Sequence, residues 1–208
     1  MRYNAHYTIV RYNAQPYFGV PMDTMSTHIA NTLKSLRQQR GWSLDKTAQE
    51  TGVSKAMLGQ IERQESSPTV ATLWKIATGF HVSFSSLLEE SKVISQGLIY
   101  RSLPPQELFT QEKIRIRTLF PFDEELQCEL FVIELLPGCE QLSTPHETGV
   151  VEHVIVTEGK MEVLANQRWQ PLSQGEGLRF GADQMHGYRN KSDHSACFHN
   201  IIHYPLKT

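Results

Sequence analysis

Residues 145–160 read PHETGVVEHVIVTEGK, and they raise the question of whether their polar side chains are metal ligands or the polar ends of a β-strand. The run from Val151 to Thr157 is rich in Val and Ile and stops at a Glu-Gly pair, the pattern of a strand followed by a turn. Neighbouring residues of a strand point to opposite faces, so Glu152 and His153 cannot both face the interior. The stretch therefore predicts a strand that carries a polar side chain on its inner face.

The same sequence pattern extends on both sides of this stretch, from about residue 113 to residue 208. Short segments rich in Ile, Val, Phe and Leu are separated by Pro-Gly, Glu-Gly and Gln-Gly pairs. Many short strands at close spacing predict a β-sandwich or a β-barrel. The predicted strands lie near residues 114–119, 128–135, 151–157, 160–164, 177–180, 185–189 and 196–203.

Residues 26–90 have a helical period instead. We expect the first helix to take Ser26 or Thr27 as its N-cap and to stop at Gly41, because apolar residues recur between them at helical spacing. Four further helices each follow a Ser or Thr, the preferred N-cap residues. These expected caps are Ser43, Ser54, Thr69 and Ser83. Turns this short leave no room for strands, so the segment predicts a compact five-helix bundle.

The composition is that of an ordinary globular protein, with 39% hydrophobic and 20% charged residues. No run of about 18 or more apolar residues occurs, and the first two dozen residues lack the apolar block of a secretory signal. The three cysteines, Cys128, Cys139 and Cys197, form no C-x-x-C pair, which argues against a disulfide framework and against a cysteine zinc site. We expect a cytoplasmic protein with no membrane partner.

Charge is divided unevenly along the chain. Residues 26–88 contain seven Lys and Arg against four Asp and Glu, whereas residues 91–208 contain eleven against fifteen. A mildly basic segment beside an acidic one suits a small nucleic-acid-binding head on a body with another role.

The segment TGVSKAMLGQIERQESSPTVATLWKIA, residues 51–77, joins the end of one short helix to a second helix through a Gly-Val turn. This arrangement is typical of a helix-turn-helix, whose second helix enters the DNA major groove. Together with LRQQRGWSL at residues 36–44, it makes residues 26–90 resemble the phage-repressor-like helix-turn-helix domain of the XRE family. The resemblance implies that Arg37 and Glu62 form an ion pair between the first and third helices.

The start of the second helix of such a motif points into the groove. Lys55 can reach guanine acceptors, Gln60 can pair with adenine and Ala56 can meet a thymine methyl group, so these three are the candidate base contacts. Hydroxyl groups and helix N-terminal amides are candidate phosphate contacts. They belong to Ser43, Ser54, Ser66, Ser67 and Thr69.

Residues 145–160 resemble the first sequence motif of the cupins, which are small β-barrels of jelly-roll type. That motif has a His-x-His pair, a Glu three or four residues later and a Gly six residues beyond. His146, Glu152 and Gly159 keep these intervals, and Thr148 stands where the second His is expected.

A second stretch, GEGLRFGADQMHGYRN at residues 175–190, resembles the second cupin motif. Gly175, His186 and Asn190 keep its intervals, while Gly181 and Asp183 replace its Pro and one Gly. Two motifs in register are much more specific than either alone.

The resemblance implies a metal site formed by His146, Glu152 and His186. Two imidazoles and one carboxylate suit Zn²⁺ first, with Fe²⁺, Mn²⁺ or Ni²⁺ as alternatives, and they leave open positions for a ligand. The competing interpretation is a metal-free barrel in which the His and Glu side chains satisfy each other by hydrogen bonds. Candidate effector contacts are Thr148, Arg179 and Tyr188.

The sequence therefore predicts a multidomain α + β protein. Its segments are an arm at residues 1–25, a five-helix helix-turn-helix bundle at 26–90, a linker at 91–112 and a cupin jelly-roll barrel at 113–208. The arm is either a flexible segment or a stretch upstream of a natural start at Met22 or Met25.

The two resemblances imply a bacterial transcriptional regulator. Proteins of this architecture bind double-stranded operator DNA as homodimers and sense a small-molecule effector, for which an amino acid or a sulfur compound is the leading class. The alternative is a cupin metalloenzyme, of dioxygenase or isomerase type, with an accessory DNA-binding head. We favour a protein that is not an enzyme and assign no catalytic residue, because only Tyr188 and His153 offer a general base.

Overall fold

The computed structural model describes residues 22–88 and 112–205 of the chain. The first range is a helical bundle and the second is built from antiparallel strands, so the predicted fold class is confirmed. Most of the predicted arm and linker lie outside the described residues, and the domain boundaries stay predictions. The helices are α1 (Met22–Gln39), α2 (Leu44–Thr51), α3 (Lys55–Glu62), α4 (Val70–Phe80) and α5 (Ser85–Leu88).

Three helices begin at the caps that the sequence predicts. The side chains of Ser43, Ser54 and Thr69 each accept a hydrogen bond from the amide three residues later. Helix α2 ends at Gly52, whose φ of 66° lies in the left-handed region that glycine adopts without strain. These caps fix the turn between α2 and α3.

Two helix starts differ from the prediction. Helix α1 already includes Met22, ahead of the predicted caps Ser26 and Thr27, and Met25 on this added turn packs against the core. The hydroxyl of Thr27 donates instead to Oε1 of Gln64, at 2.9 Å.

The expected cap of α5, Ser83, lies two residues before that helix. The amides of Phe84 and Ser85 donate to the carboxylate of Glu129, a residue of the strand region. A carboxylate from a distant segment therefore caps α5, and no local pattern could indicate this.

The strands form two packed antiparallel sheets. One has the order β1-β2-β9-β4-β7 and the other the order β3-β8-β5-β6. The strands are β1 (Ile114–Asp123), β2 (Cys128–Leu135), β3 (Glu140–Ser143), β4 (Val151–Glu158), β5 (Lys160–Ala165), β6 (Arg168–Ser173), β7 (Gly177–Gly181), β8 (His186–Arg189) and β9 (Ala196–His203).

Strands β3 and β6 are the two that the sequence analysis missed. Both are edge strands of the four-stranded sheet. Strand β6 contains Pro171, which lowers the strand signal but is tolerated at an edge, where no ladder hydrogen bond is lost. Strand β3 has only four residues, too few for an alternating pattern to stand out.

The helices pack against the barrel through aromatic side chains. Trp74 of α4 stacks on Phe84, with ring centroids 4.3 Å apart, and Phe84 meets Phe131 of β2 edge to face at 5.7 Å. All three side chains are buried. Residues of both parts therefore share one continuous core beside the inner faces of the sheets.

Candidate metal centre and DNA-binding surface

The predicted DNA contacts lie around the helix-turn-helix. The three candidate base contacts, Lys55, Ala56 and Gln60, are exposed on α3. Nζ of Lys55 lies 2.7 Å from Oδ2 of Asp45, on the first turn of α2, so a surface ion pair holds this side chain in the absence of DNA.

The candidate phosphate contacts are mostly exposed as well. Ser43, Ser54 and Thr69 are exposed at helix N-termini, and Ser67 is exposed two residues before Thr69. Ser66 is half-buried, and its hydroxyl donates to the sulfur of Met57 at 3.8 Å. Three of these hydroxyl oxygens already cap helices, so their contribution to phosphate binding would come through the O–H group and the neighbouring amides.

The expected ion pair between Arg37 and Glu62 is present. Two nitrogens of the guanidinium donate to the two carboxylate oxygens, and the third nitrogen donates to the carbonyl oxygen of Trp42. The pair fixes α1 against α3, which is a structural role.

In the barrel, three predicted ligands from two separate sequence motifs come together. His146 follows β3, Glu152 lies on β4 and His186 opens β8, and all three are buried. Their ligand atoms all lie within 4.8 Å of one another. Nε2 of His146 is 3.0 Å and Nε2 of His186 is 3.4 Å from the same oxygen, Oε1 of Glu152.

The surrounding hydrogen bonds orient these ligands. Nδ1 of His186 lies 2.8 Å from the carbonyl oxygen of Gln184, which turns Nε2 of this ring toward Glu152. Oε2 of Glu152 accepts hydrogen bonds from the hydroxyl of Tyr188 and from the side-chain amide of Asn200, the latter at 3.0 Å. Such outer contacts are typical of metal sites, where they fix the ring and carboxylate directions.

The electrostatics of the cluster favour a charged carboxylate. Burial alone would raise the pKa of Glu152, but hydrogen bonds from His146 and His186 and the charges of these rings hold it well below its ordinary value. Burial lowers the pKa of His186, yet its hydrogen bond to Glu152 and the charge of that carboxylate raise it overall. The pKa of Tyr188 is raised by burial and by the Glu152 charge, so its phenol stays protonated.

The residues present fit a divalent metal. Nε2 of His186 is buried and faces Oε1 of Glu152 at a distance of 3.4 Å, which is long for a hydrogen bond, and a buried polar atom without a well-formed hydrogen bond is costly. Two imidazoles and one carboxylate that converge on one point form a donor set common to Zn²⁺ and Fe²⁺.

Comparison with known proteins shows the family to which this chain belongs. A helix-turn-helix model matches residues 33–87, and a cupin-domain model matches residues 131–202. Over 184 residues the chain is 49% identical to the HTH-type transcriptional regulator SutR of Escherichia coli (strain K12), which covers 88% of this chain and 99% of SutR. The chain belongs to the family of HTH-type transcriptional regulators.

A solved structure of a related regulator agrees with this fold. The crystal structure of an HTH_3 family transcriptional regulator from Vibrio cholerae has a TM-score of 0.74 and 45% sequence identity. The match covers 89% of this chain and 99% of that chain. The comparisons therefore show that this HTH-type regulator contains a helix-turn-helix domain and a cupin domain. The helix-turn-helix domain is the part that binds DNA.

The regulator has a small cavity next to the ligand cluster, of about 20 Å³. It reaches Glu152 and is lined on the barrel side by apolar residues and by four other polar ones. These are Gln141, Ser143, Tyr188 and Asn200. Such a volume holds roughly one water molecule.

Of the three predicted effector contacts of the regulator, only Tyr188 lines this cavity. Thr148 and Arg179 are exposed, so the structure does not bring them to the cluster. On β7 the alternation buries Phe180 and turns its neighbour Arg179 outward, beside His153. His153 packs against His203, with ring centroids 5.1 Å apart, as expected for a residue outside the ligand cluster.

Two residues of the site escaped the sequence analysis. Asn200 is a polar residue between the buried Phe198 and Ile202 of β9, and an amide at an inward-facing position is a usable signal. Trp74 stacks on His146, with ring centroids 4.0 Å apart and an interplanar angle of 28°. No sequence signal indicates this contact, because Trp74 belongs to the other domain of the regulator.

No helix among residues 22–88 and 112–205 is long and apolar enough to cross a lipid bilayer.

Proposed function

We propose that this regulator binds double-stranded operator DNA as a cytoplasmic homodimer, and that its cupin domain binds a small-molecule effector at a metal centre. The observation that carries the proposal is the convergence of His146, Glu152 and His186 on one buried point, where Nε2 of both rings faces the same carboxylate oxygen. A regulator with such a site has a means of sensing that the helix-turn-helix alone lacks.

The helix-turn-helix reads the operator through α3. Lys55, Ala56 and Gln60 are exposed on one short helix and meet base edges, while the hydroxyls and amides at the starts of α2, α3 and α4 hold phosphates. Three base-reading side chains give little specificity. Two copies on half-sites about one helical turn apart multiply it, which is why we propose a homodimer.

The metal would be held by His146, Glu152 and His186, and Zn²⁺ is the ion that we propose. When bound, it supplies a Lewis-acidic centre with open positions for a ligating atom of the effector. Tyr188 and Asn200 keep the carboxylate of Glu152 oriented through their hydrogen bonds to it. We propose the same two residues and Gln141 as the polar contacts of the effector, since they line the adjacent cavity.

The effector is a small molecule with a metal-ligating group. An amino acid or a sulfur compound fits this description, because each carries a carboxylate, an amine or a thiol. Apart from these three proposed contacts, Ser143 and Glu152, the cavity walls are apolar, so only a few polar atoms of the effector can be satisfied.

Elemental analysis of protein purified without chelator or added metal tests the proposal. We expect about one equivalent of zinc per chain, and its loss in the double variant Glu152→Ala/His186→Ala. His194→Ala is the matched control, because that imidazole is exposed and pairs only with Asp193 among the described contacts. Metal retained by the double variant, or absent from the wild type after zinc is offered, would contradict the proposed metal centre.

A further inference from the structure

One wall of the candidate effector cavity belongs to the DNA-binding domain. Val70 and Trp74 of α4 and Phe84, just before α5, line the cavity together with the barrel residues. The indole of Trp74 lies between Phe84 and the imidazole of His146, stacked at 4.3 Å on the first and 4.0 Å on the second. Only 9% of Trp74 is exposed. The side chain that covers a candidate metal ligand therefore comes from the same helical bundle that reads DNA.

The cavity is too small for the proposed effector as it stands. Its volume of about 20 Å³ admits about one water molecule. A molecule with several non-hydrogen atoms that reaches the metal ligands needs the space that a neighbouring group now occupies. Trp74 is the largest side chain that lies against both the cavity and His146.

Helix α4 cannot easily move without the rest of the bundle. A Cβ atom added at Gly79 would lie 2.7 Å from the carbonyl oxygen of Glu50 and 2.7 Å from Cα of Thr51, so the backbones of α4 and α2 touch. Helix α2 is in turn joined to α3 by the short turn of the motif. A displacement of Trp74 that involves α4 is therefore passed to the recognition helix.

Hydrogen bonds hold the bundle against the barrel on both sides of this wall. The amide of Val70 donates to Oε1 of Glu112 at 3.1 Å. The amides of Phe84 and Ser85 donate to the buried carboxylate of Glu129 at 3.1 and 2.9 Å. The position of α4 over the cavity is thus one defined, docked arrangement rather than a loose contact.

We infer that Trp74 is the lid of the effector site, and that an effector which ligates the metal displaces this indole and so changes the position of the DNA-binding bundle on the barrel. The inference rests on the proposed function and adds the route by which the site acts on DNA binding. The effector it selects has a metal-ligating group joined to a flat or apolar part that takes the place of the indole. The effector shifts the equilibrium between the displaced and the docked arrangement by the difference between its binding free energies for the two.

The lid is tested first with the metal alone. Zinc-loaded wild type, Trp74→Phe, Trp74→Leu and Trp74→Ala are mixed with excess EDTA, and the rate of zinc release is followed. Loss of one stacked ring corresponds to about tenfold faster release for Trp74→Ala and Trp74→Leu, whereas Trp74→Phe keeps a ring and should stay within about twofold of the wild type. Trp169→Phe is the control. Trp169 lies on the edge strand β6, and the guanidinium of Arg189, on β8, stacks on its ring.

The coupling is tested with the same proteins and a DNA site selected from random sequence. Trp74→Ala and Trp74→Leu should change the dissociation constant of the DNA by about fivefold or more, although Trp74 is buried and lies off the recognition helix. Trp74→Phe and Trp169→Phe should leave it within about twofold of the wild-type value. Circular dichroism confirms that each variant is folded.

The outcomes separate this inference from the proposed function. If the wild type binds zinc and the Trp74→Ala and Trp74→Leu variants release it no faster than the wild type, Trp74 is not a lid over the site. Unchanged DNA affinity in both variants would overturn the coupling. A wild-type protein that takes up no zinc would instead refute the metal centre itself, a result visible in the metal content before any rate is measured.

Discussion

Arg37 clamps Glu62 through two parallel hydrogen bonds, from Nε at 2.6 Å and from Nη2 at 2.8 Å. The side chains are only 18% and 9% exposed, so solvent screens this pair weakly. Replacing Arg37 by Ala leaves a mostly buried carboxylate without its donors, and we expect the free energy of unfolding of the helical bundle to fall by about 2 kcal/mol. Urea denaturation followed by the helical circular dichroism signal measures the change.

The control for this variant is Arg63→Ala. Arg63 forms a similar pair with Glu65, but both side chains are more than half exposed. Exposed ion pairs contribute little, so the urea midpoint should stay close to that of the wild type. Equal losses in the two variants would mean that the Arg37 pair is no more than a surface contact.

Lys55→Ala should weaken DNA binding mainly at one base position. Lys55 stands at the start of α3, where a side chain reaches guanine acceptors, and one such contact discriminates by about 1–3 kcal/mol. Binding is measured on a selected DNA site and on its single-base variants over a range of salt concentrations. A uniform loss across all sites, with a shallower salt dependence, would make Lys55 a phosphate contact instead.

The ion pair of Lys55 with Asp45 supplies the matched variant. Asp45→Asn removes the partner that holds Nζ at 2.7 Å and also removes a negative charge from the DNA-facing surface. We therefore expect tighter binding to all DNA sites at low salt, and a gain that shrinks as salt is raised. Weaker binding by this variant would show that Asp45 positions Lys55 for the groove.

Features that depend on neighbours in the chain were predictable from the sequence. The caps at Ser43, Ser54 and Thr69 act on amides three residues away, and the turn at Gly52 needs only a left-handed backbone. The ligand cluster was predictable because its intervals resemble a family pattern, although its members come from two separate motifs. Its grouping in the structure agrees with that prediction, while the bound metal stays a proposal.

Features that depend on distant partners were not predictable. Glu129 lies at an inward-facing position of β2, and only the folded chain brings it to the start of α5, 44 residues away from Ser85. In the sequence Trp74 is one of several apolar residues of α4. Its neighbours in the chain do not indicate its contact with His146, because His146 belongs to the other domain. Which face Arg179 occupies depends on how β7 pairs with β4, and its neighbours in the chain do not determine that pairing.

Glu129→Ala should loosen the contact between the bundle and the barrel. The buried carboxylate accepts hydrogen bonds from the amides of Phe84 and Ser85 and from the hydroxyl of Tyr204. Without it the amide of Ser85 and the hydroxyl of Tyr204 lose this acceptor and the amide of Phe84 keeps only the hydroxyl of Tyr204 at 3.3 Å, so we expect a loss of about 3 kcal/mol. Amide hydrogen exchange at Phe84 and Ser85 should accelerate strongly, which mass spectrometry of the peptide around α5 measures.

Tyr204→Phe is the graded comparison for Glu129→Ala. It removes the hydroxyl that donates to Glu129 and also accepts from the amide of Phe84, but leaves both amides bound to the carboxylate, so exchange at Phe84 and Ser85 should rise much less. Burial raises the pKa of Glu129, and this effect is larger than the lowering by its hydrogen bonds. If both variants exchanged at the wild-type rate, Glu129 would not hold α5 in solution.

Gly79→Ala and Gly59→Ala place the same methyl group in two helices and should have opposite effects. At Gly79 the new carbon would meet the backbone of Glu50 and Thr51 at 2.7 Å, and backbone cannot yield, so we expect a loss of about 2 kcal/mol from overpacking. At Gly59 the nearest atom, 3.1 Å away, is the flexible end of Arg63, and alanine should stabilise α3 by up to about 1 kcal/mol. Thermal unfolding of both variants measures the difference. A stable Gly79→Ala protein would show that α4 and α2 can separate, and would remove the rigid link between Trp74 and the recognition helix.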